Sequence, residues 1–184
     1  MSAQFHIASL AQMDPVSLYR VLQLRTDVFV VEQQCAYPEL DGRDLEPGAV
    51  MVWAVDAPEH RADDDGAPAS SDAQAAGAVL ATLRVLHEPE GFRIGRVVAR
   101  EEARGTGVAR ELMQRGLEYC AAQSPESAVV LDAQQPLEGW YGSFGFTRTG
   151  EPFQEDGIPH VPMRRGSSDL PAGTGDEGGQ QQDR

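Results

Sequence analysis

Phe92-Arg93-Ile94-Gly95-Arg96-Val97-Val98-Ala99, followed shortly by Arg104-Gly105-Thr106-Gly107-Val108-Ala109, is the stretch that decides the fold. The first segment is apolar and β-branched and reads as a buried strand. Beyond the second, Val108, Leu112, Met113, Gly116, Leu117 and Cys120 recur at helical spacing and mark the buried face of one helix. The order is strand, glycine-punctuated turn, helix N-terminus. The first turn of a helix carries N–H groups without intrahelical partners and the positive end of the dipole. Small residues there let a phosphate approach the bare backbone, and Arg104 adds a cation. The stretch predicts a cradle for a diphosphate.

The spacing excludes two phosphate-binding patterns. A P-loop needs G-x-x-x-x-G-K-[ST], and no such lysine is present. A dinucleotide fingerprint needs a small residue where Arg110 stands. The pattern that fits is Q/R-x-x-G-x-G/A, filled by Arg104, Gly107 and Ala109. It resembles the pyrophosphate loop of the GCN5-related N-acetyltransferases, the GNAT family, which bind coenzyme A. Further along, Ala128-Val129-Val130-Leu131-Asp132-Ala133-Gln134 is a second strand-length apolar run. Trp140-Tyr141-Gly142-Ser143-Phe144-Gly145-Phe146 then resembles the aromatic-Tyr-x-x-x-Gly-Phe signature that closes the GNAT core. Leu24 to Gln33 with Cys35, Tyr37, Asp41 and Asp44, and Asp156-Gly157-Ile158-Pro159-His160, are similar to the ElaA-like branch. The resemblance covers about residues 4–165 apart from one insertion.

At 184 residues, one domain is expected. A core near 150 residues buries about 70% of its extended-chain surface, enough to fold without staples. Residues 1–165 read as the acetyltransferase-like domain. The formal net charge is −14, and half of it falls in two low-complexity segments, −4 in residues 57–76 and −3 in residues 166–184. Both are rich in Ala, Gly, Ser, Gln and Pro and read as a disordered insertion and tail. The acidity argues against nucleic acid as partner and is compatible with a cationic small substrate. Two cysteines are too few for a disulfide framework, no His/Cys cluster has zinc spacing, and no apolar run reaches membrane length. The chain reads as cytoplasmic, with no secretory signal, metal or membrane partner. A homodimer is left open.

Local signals supply the rest. Asp14-Pro15 starts a helix as N-cap and N1, with Leu18, Val21, Leu22, Arg25 and Phe29 on one side. Strands are expected at residues 4–9, 49–56, 77–86 and 158–164, giving an α/β fold with a mixed, mostly antiparallel central sheet, flanking helices, and one crossover helix joining adjacent parallel strands.

The resemblance implies attack of an amine on the thioester of acetyl-CoA. The pyrophosphate would rest on the N–H groups of Arg104, Gly105, Thr106, Gly107, Val108 and Ala109. Val97, Val98 and Ala99 would pair by backbone with the pantetheine arm. Gln134 would bind the same arm or stand as a solvent-facing amide. The departing thiolate needs a proton, and Tyr141 stands where the family carries its donor; the alternative is a core tyrosine. The acceptor must be neutral, and a lysine-like amine of pKa about 10.4 is neutral only about once in 2,500 at pH 7. Candidate bases are Glu32, which could be half-buried with a raised pKa, His160, of the type that titrates near neutrality, and Asp156 close by in sequence; the alternative for each is a structural hydrogen bond or a solvated face. Phe29, Glu32, Asp156 and His160 are expected to line the acceptor cleft. Arg25, Arg84 and Arg96 stand in apolar stretches and need carboxylates, from the chain or from a substrate. Three functions fit: acyl transfer from acyl-CoA to a small amine, acyl transfer from a carrier protein, and CoA sensing without turnover.

Overall fold

In the computed structural model, residues 2–57 and 77–166 are described; residues 58–76 and 167–184, most of the two acidic segments, lie outside them. The chain runs β1 (Ala3–Ala8), α1 (Pro15–Arg25), β2 (Val50–Asp56), β3 (Val79–Glu88), β4 (Gly91–Ala99), α2 (Val108–Gln123), β5 (Ala128–Gln134), α3 (Glu138–Gly142), β6 (Thr147–Arg148), β7 (Phe153–Glu155) and β8 (Ile158–Arg165). One sheet has the order β1-β2-β3-β4-β5-β8-β6, with β7 also on β8. All pairings are antiparallel except β4 with β5, which α2 connects as a crossover.

The sheet buries both faces. On β2, Val50, Val52 and Ala54 enter a core against α2, while Met51, Trp53 and Val55 enter a second core against α1. Period-two alternation with both phases apolar is how a two-sided sheet is written in sequence. Helix α2 contributes Val108, Leu112, Met113, Gly116, Leu117 and Cys120, the predicted face. Burial pushes the Cys120 thiol up to about 12, so it packs as a small apolar group. Asp14 caps α1, accepting from the Val16 and Ser17 N–H groups at 3.0 and 2.9 Å.

One expectation about α1 is corrected. The buried residues are Val21, Leu24, Arg25 and Val28, at i, i+3, i+4 and i+7. Leu22 faces away from that stripe and Phe29 only partly joins it. After Arg25 the helix widens into a π-helical segment, Thr26–Glu32, which carries the chain to the rim of the cleft.

Candidate active site

Between β4 and β5 the sheet opens. Only Gly91, Phe92 and Arg93 pair with Ala128, Val129 and Val130; beyond them the facing edges of the two strands diverge. On its other edge β4 is disturbed by a bulge: Gly95 opposes Arg84 and Val98 opposes Thr82, so Arg96 and Val97 share the place of one residue. The extra residue reverses the side-chain parity. Phe92 and Ile94 enter the α2 core, but Val98 enters the α1 core while Val97 and Ala99 lean on the α2 side. The bulge thus bends β4 where it parts from β5. A cleft of about 970 Å³ fills the opening and is lined by Val97, Val98, Ala99, Arg104, Gly105, Ala109, Gln134 and Tyr141.

At one end lies the glycine turn. Gly105 and Gly107 have φ of 76° and 92°, left-handed values that favour glycine, and a Cβ on either would meet no atom within 4 Å. The backbone there is bare and open, and the first turn of α2 has N–H groups with no partner inside the helix. These residues fit a diphosphate. The side chains of the turn do other work. Thr106 Oγ1 donates to Ala103 O at 2.7 Å, and Val108 is buried in the core. Two of the N–H groups assigned to the cradle are also taken: Arg104 N–H donates to Glu101 O at 3.1 Å and Thr106 N–H to Ala103 O at 3.4 Å, which leaves those of Gly105, Gly107, Val108 and Ala109 for a diphosphate.

Arg104 is not a free cation. Its Nε donates to Ala99 O at 3.1 Å, and its Nη1 and Nη2 donate to Glu32 at 2.8 and 2.7 Å. The pair ties the phosphate turn to the end of the π-helical segment. It also overturns the expectation for Glu32. That side chain is 46% exposed, and the hydrogen bonds from Arg104 hold its carboxyl below the usual range rather than above it. A carboxylate so held is a poor proton acceptor near neutrality.

Tyr141 sits at the middle of the cleft wall, 6% exposed, edge-on to Trp140 at 4.8 Å. The ring belongs to the core, as the second sequence reading has it, and the residue also lines the cleft. Burial drives its phenol well above the ordinary 10, so it remains protonated at any working pH. Gln134 donates to Gln33 Oε1 at 3.2 Å across the cleft.

The other end is built from charged side chains. Asp156-Gly157 forms the two-residue turn between β7 and β8, with φ of 49° and 81°, the geometry Asp-Gly favours in hairpins. This turn carries Glu155 and Asp156 to the cleft. His160, on β8, places Nδ1 2.9 Å from Ile158 O. A carbonyl can only accept, so Nδ1 carries a proton, and in the neutral ring the lone pair is on Nε2. Nε2 stands 3.9 Å from Glu155.

Beneath this end lies a network of three arginines and three carboxylates. Arg25, fully buried, makes a bidentate pair with Glu39 at 2.7 and 2.9 Å and reaches Asp44 at 3.0 Å. Arg84 pairs with Asp41 at 2.7 and 2.9 Å and with Asp44 at 3.0 Å. Arg96 reaches Glu39 and Asp41, each at 3.1 Å. Burial alone would raise Asp41; the bonds from Arg84 and the Arg43 N–H, with the charges of Arg84 and Arg96, win and hold it at about 2. Arg25, Arg84 and Arg96 each meet an internal carboxylate, one of the two outcomes the sequence allowed. Glu39 was missed; its signal was the need of Arg25 for a partner. The bulge at Arg96 was missed too, since strands are read as regular alternation.

A glycine-turn cradle at the head of a crossover helix, a parallel strand pair that parts above it, and a tyrosine on the wall define the fold of acyl-CoA N-acyltransferases. A family profile described as "Acetyltransferase (GNAT) domain" matches residues 55–166, and the chain belongs to that family. Within it the chain is ElaA-like. It is 39% identical to UPF0039 protein Rv2851c of Mycobacterium tuberculosis over 160 residues, covering 85% of this chain and 88% of that one. It is 37% identical to protein ElaA of Escherichia coli over 153 residues, covering 80% and 86%. A crystal structure of an acyl-CoA N-acyltransferase from Pseudomonas aeruginosa superposes with a TM-score of 0.74 at 36% identity, covering 89% of this chain and 99% of that one.

Proposed function

We propose that the protein transfers an acyl group, acetyl in the first instance, from acyl-CoA to a primary amine of a small molecule by direct attack. The observation that carries this is the continuous cleft from the open backbone at Gly105, along the parted edges of β4 and β5, to Tyr141 and His160. The turn residues hold the diphosphate, and the edge of Val97 and Val98 that faces β5, where no β5 residue pairs, receives the pantetheine arm. His160 Nε2 accepts a proton from the incoming ammonium group, leaving the nitrogen lone pair free to attack the thioester carbonyl. As the carbon–sulfur bond breaks, the Tyr141 hydroxyl gives its proton to the departing thiolate, and the second proton shed by the acylated nitrogen returns to the Tyr141 oxygen, leaving a neutral amide, a thiol and one proton on His160. Glu155 and Asp156 favour a cationic acceptor at the mouth.

The test is to mix the purified protein with acetyl-CoA and a panel of primary amines and to follow free thiol. Thiol release dependent on an amine supports the reading. Tight CoA binding without release for any amine would favour a sensor.

A further inference from the structure

Among the described residues with a Cβ, three adopt positive φ: Gln34, Arg96 and Asp156. Asp156 is explained by its hairpin turn. Arg96, at φ 52°, stands inside a strand, and a long side chain has no local hydrogen bond to reward that conformation. Something outside β4 must hold it. Its guanidinium lies 5.3 Å from the Tyr37 ring centre and pairs with Glu39 and Asp41, each at 3.1 Å. All three partners belong to the segment between the π-helical turn and β2. That segment is itself fixed from beneath, Glu39 by Arg25 and Asp41 by Arg84. The anchor is therefore tied to the buried Arg25 and Arg84 through Glu39, itself buried, and Asp41, at the surface, and it grips the residue at which the parity of β4 reverses.

We infer that Arg96 is the positioning residue of the coenzyme A strand: held by Tyr37, Glu39 and Asp41, it keeps the β4 bulge in place and so sets where Val97 and Val98 present their backbone to the pantetheine arm. Arg96 touches no reacting atom in this role; it acts through the backbone beside it. The inference rests on the acyl-CoA reading above. It makes a distinction that side-chain loss alone does not. Alanine removes the grip and keeps the Cβ, so the strand relaxes toward a regular ladder. Glycine removes the grip and also the preference against positive φ.

Titrating the full chain with coenzyme A, in parallel with thermal unfolding, tests this. Arg96→Ala should weaken the Kd about tenfold, the equivalent of one residue's left-handed penalty. Arg96→Gly should recover to within about threefold of wild type. Asp41→Asn should weaken binding about threefold in the same direction, and it stands outside the strand should Arg96→Ala not fold. In turnover, the acetyl-CoA KM of Arg96→Ala should rise while kcat at saturation changes by less than about threefold. Wild-type affinity in Arg96→Ala, or in Asp41→Asn if the former is unfolded, overturns the inference, as does Arg96→Gly binding no better than Arg96→Ala. Failure of the wild-type chain to bind coenzyme A would instead overturn the acyl-CoA reading, and this inference with it.

Discussion

The two ends of the cleft are made of different material. The end at the glycine turn is backbone: two left-handed glycines, a helix start and the β5-facing edge of a strand. The end at His160 is side chain: a hairpin turn bearing carboxylates, one histidine, and arginines already matched to acids. A site made of backbone tolerates few residue types, because only glycine or another small residue keeps it open. A site made of side chains can be rebuilt with each substitution. The first end should therefore hold a fixed ligand and the second a variable one.

The largest effect expected lies at the junction of the two. Tyr141→Phe keeps the ring in the core and deletes the proton. Measured kcat should fall about 10²–10⁴-fold while coenzyme A affinity stays within about twofold. Unchanged kcat would show that water protonates the thiolate, and the junction would lose its chemistry.

Gly107→Glu challenges the backbone end. It sets a like charge where the phosphates sit and forces a Cβ to φ 92°. Coenzyme A affinity should fall about 10²-fold, with Gly107→Ala reporting the smaller share due to backbone strain alone. Equal losses in the two variants would mean that the phosphates sit elsewhere.

Asp41 separates architecture from catalysis at the side-chain end. Its folded pKa of about 2 lies below the ordinary 3.8. Its contribution is therefore complete above about pH 4 and is lost as pH falls toward 2. Solvent screens a residue this exposed, so Asp41→Asn should lower stability in urea by about 1 kcal/mol at pH 7 and flatten the loss of stability between pH 4 and 2. A variant whose acid titration matches wild type would remove Asp41 from the network's energetics.

Glu32→Gln gives the smallest effect. The Arg104–Glu32 pair is exposed and worth roughly 0.5 kcal/mol. Releasing the guanidinium makes the phosphate turn more positive, so coenzyme A affinity should rise about threefold. The pH–rate profile should not move; a displaced rising limb would restore Glu32 as the base in place of His160.

The same division explains what could be read from sequence. Glycines that must be left-handed leave a pattern, as do helix starts, so the glycine turn and α2 were legible; the Asp156-Gly157 turn leaves one too, but β7 before it is three residues long and was not read as a strand. Glu32 was misread because its apolar neighbours, Val30 and Val31, suggested burial, whereas the π-helical segment leaves Val31 67% exposed and turns Glu32 toward Arg104. The ion-pair network was half legible. Three arginines in apolar runs announce that acids must meet them, but which acids depends on a loop whose path no local rule predicts. The bulge was invisible because nothing at Arg96 marks it; its cause lies in Tyr37, Glu39 and Asp41, far away in the chain.

Most sheets keep their raw edges at their borders. This one has two in its interior, where β4 and β5 part after three pairs. Those unmet N–H and C=O groups are unspent bonding capacity, and the chain forgoes cohesion to keep them available. Selection for stability alone would zip them together, straighten β4 and close the seam. The most cohesive version of this molecule would therefore be its least useful one, and stabilising substitutions near the seam are the ones to suspect of silencing it.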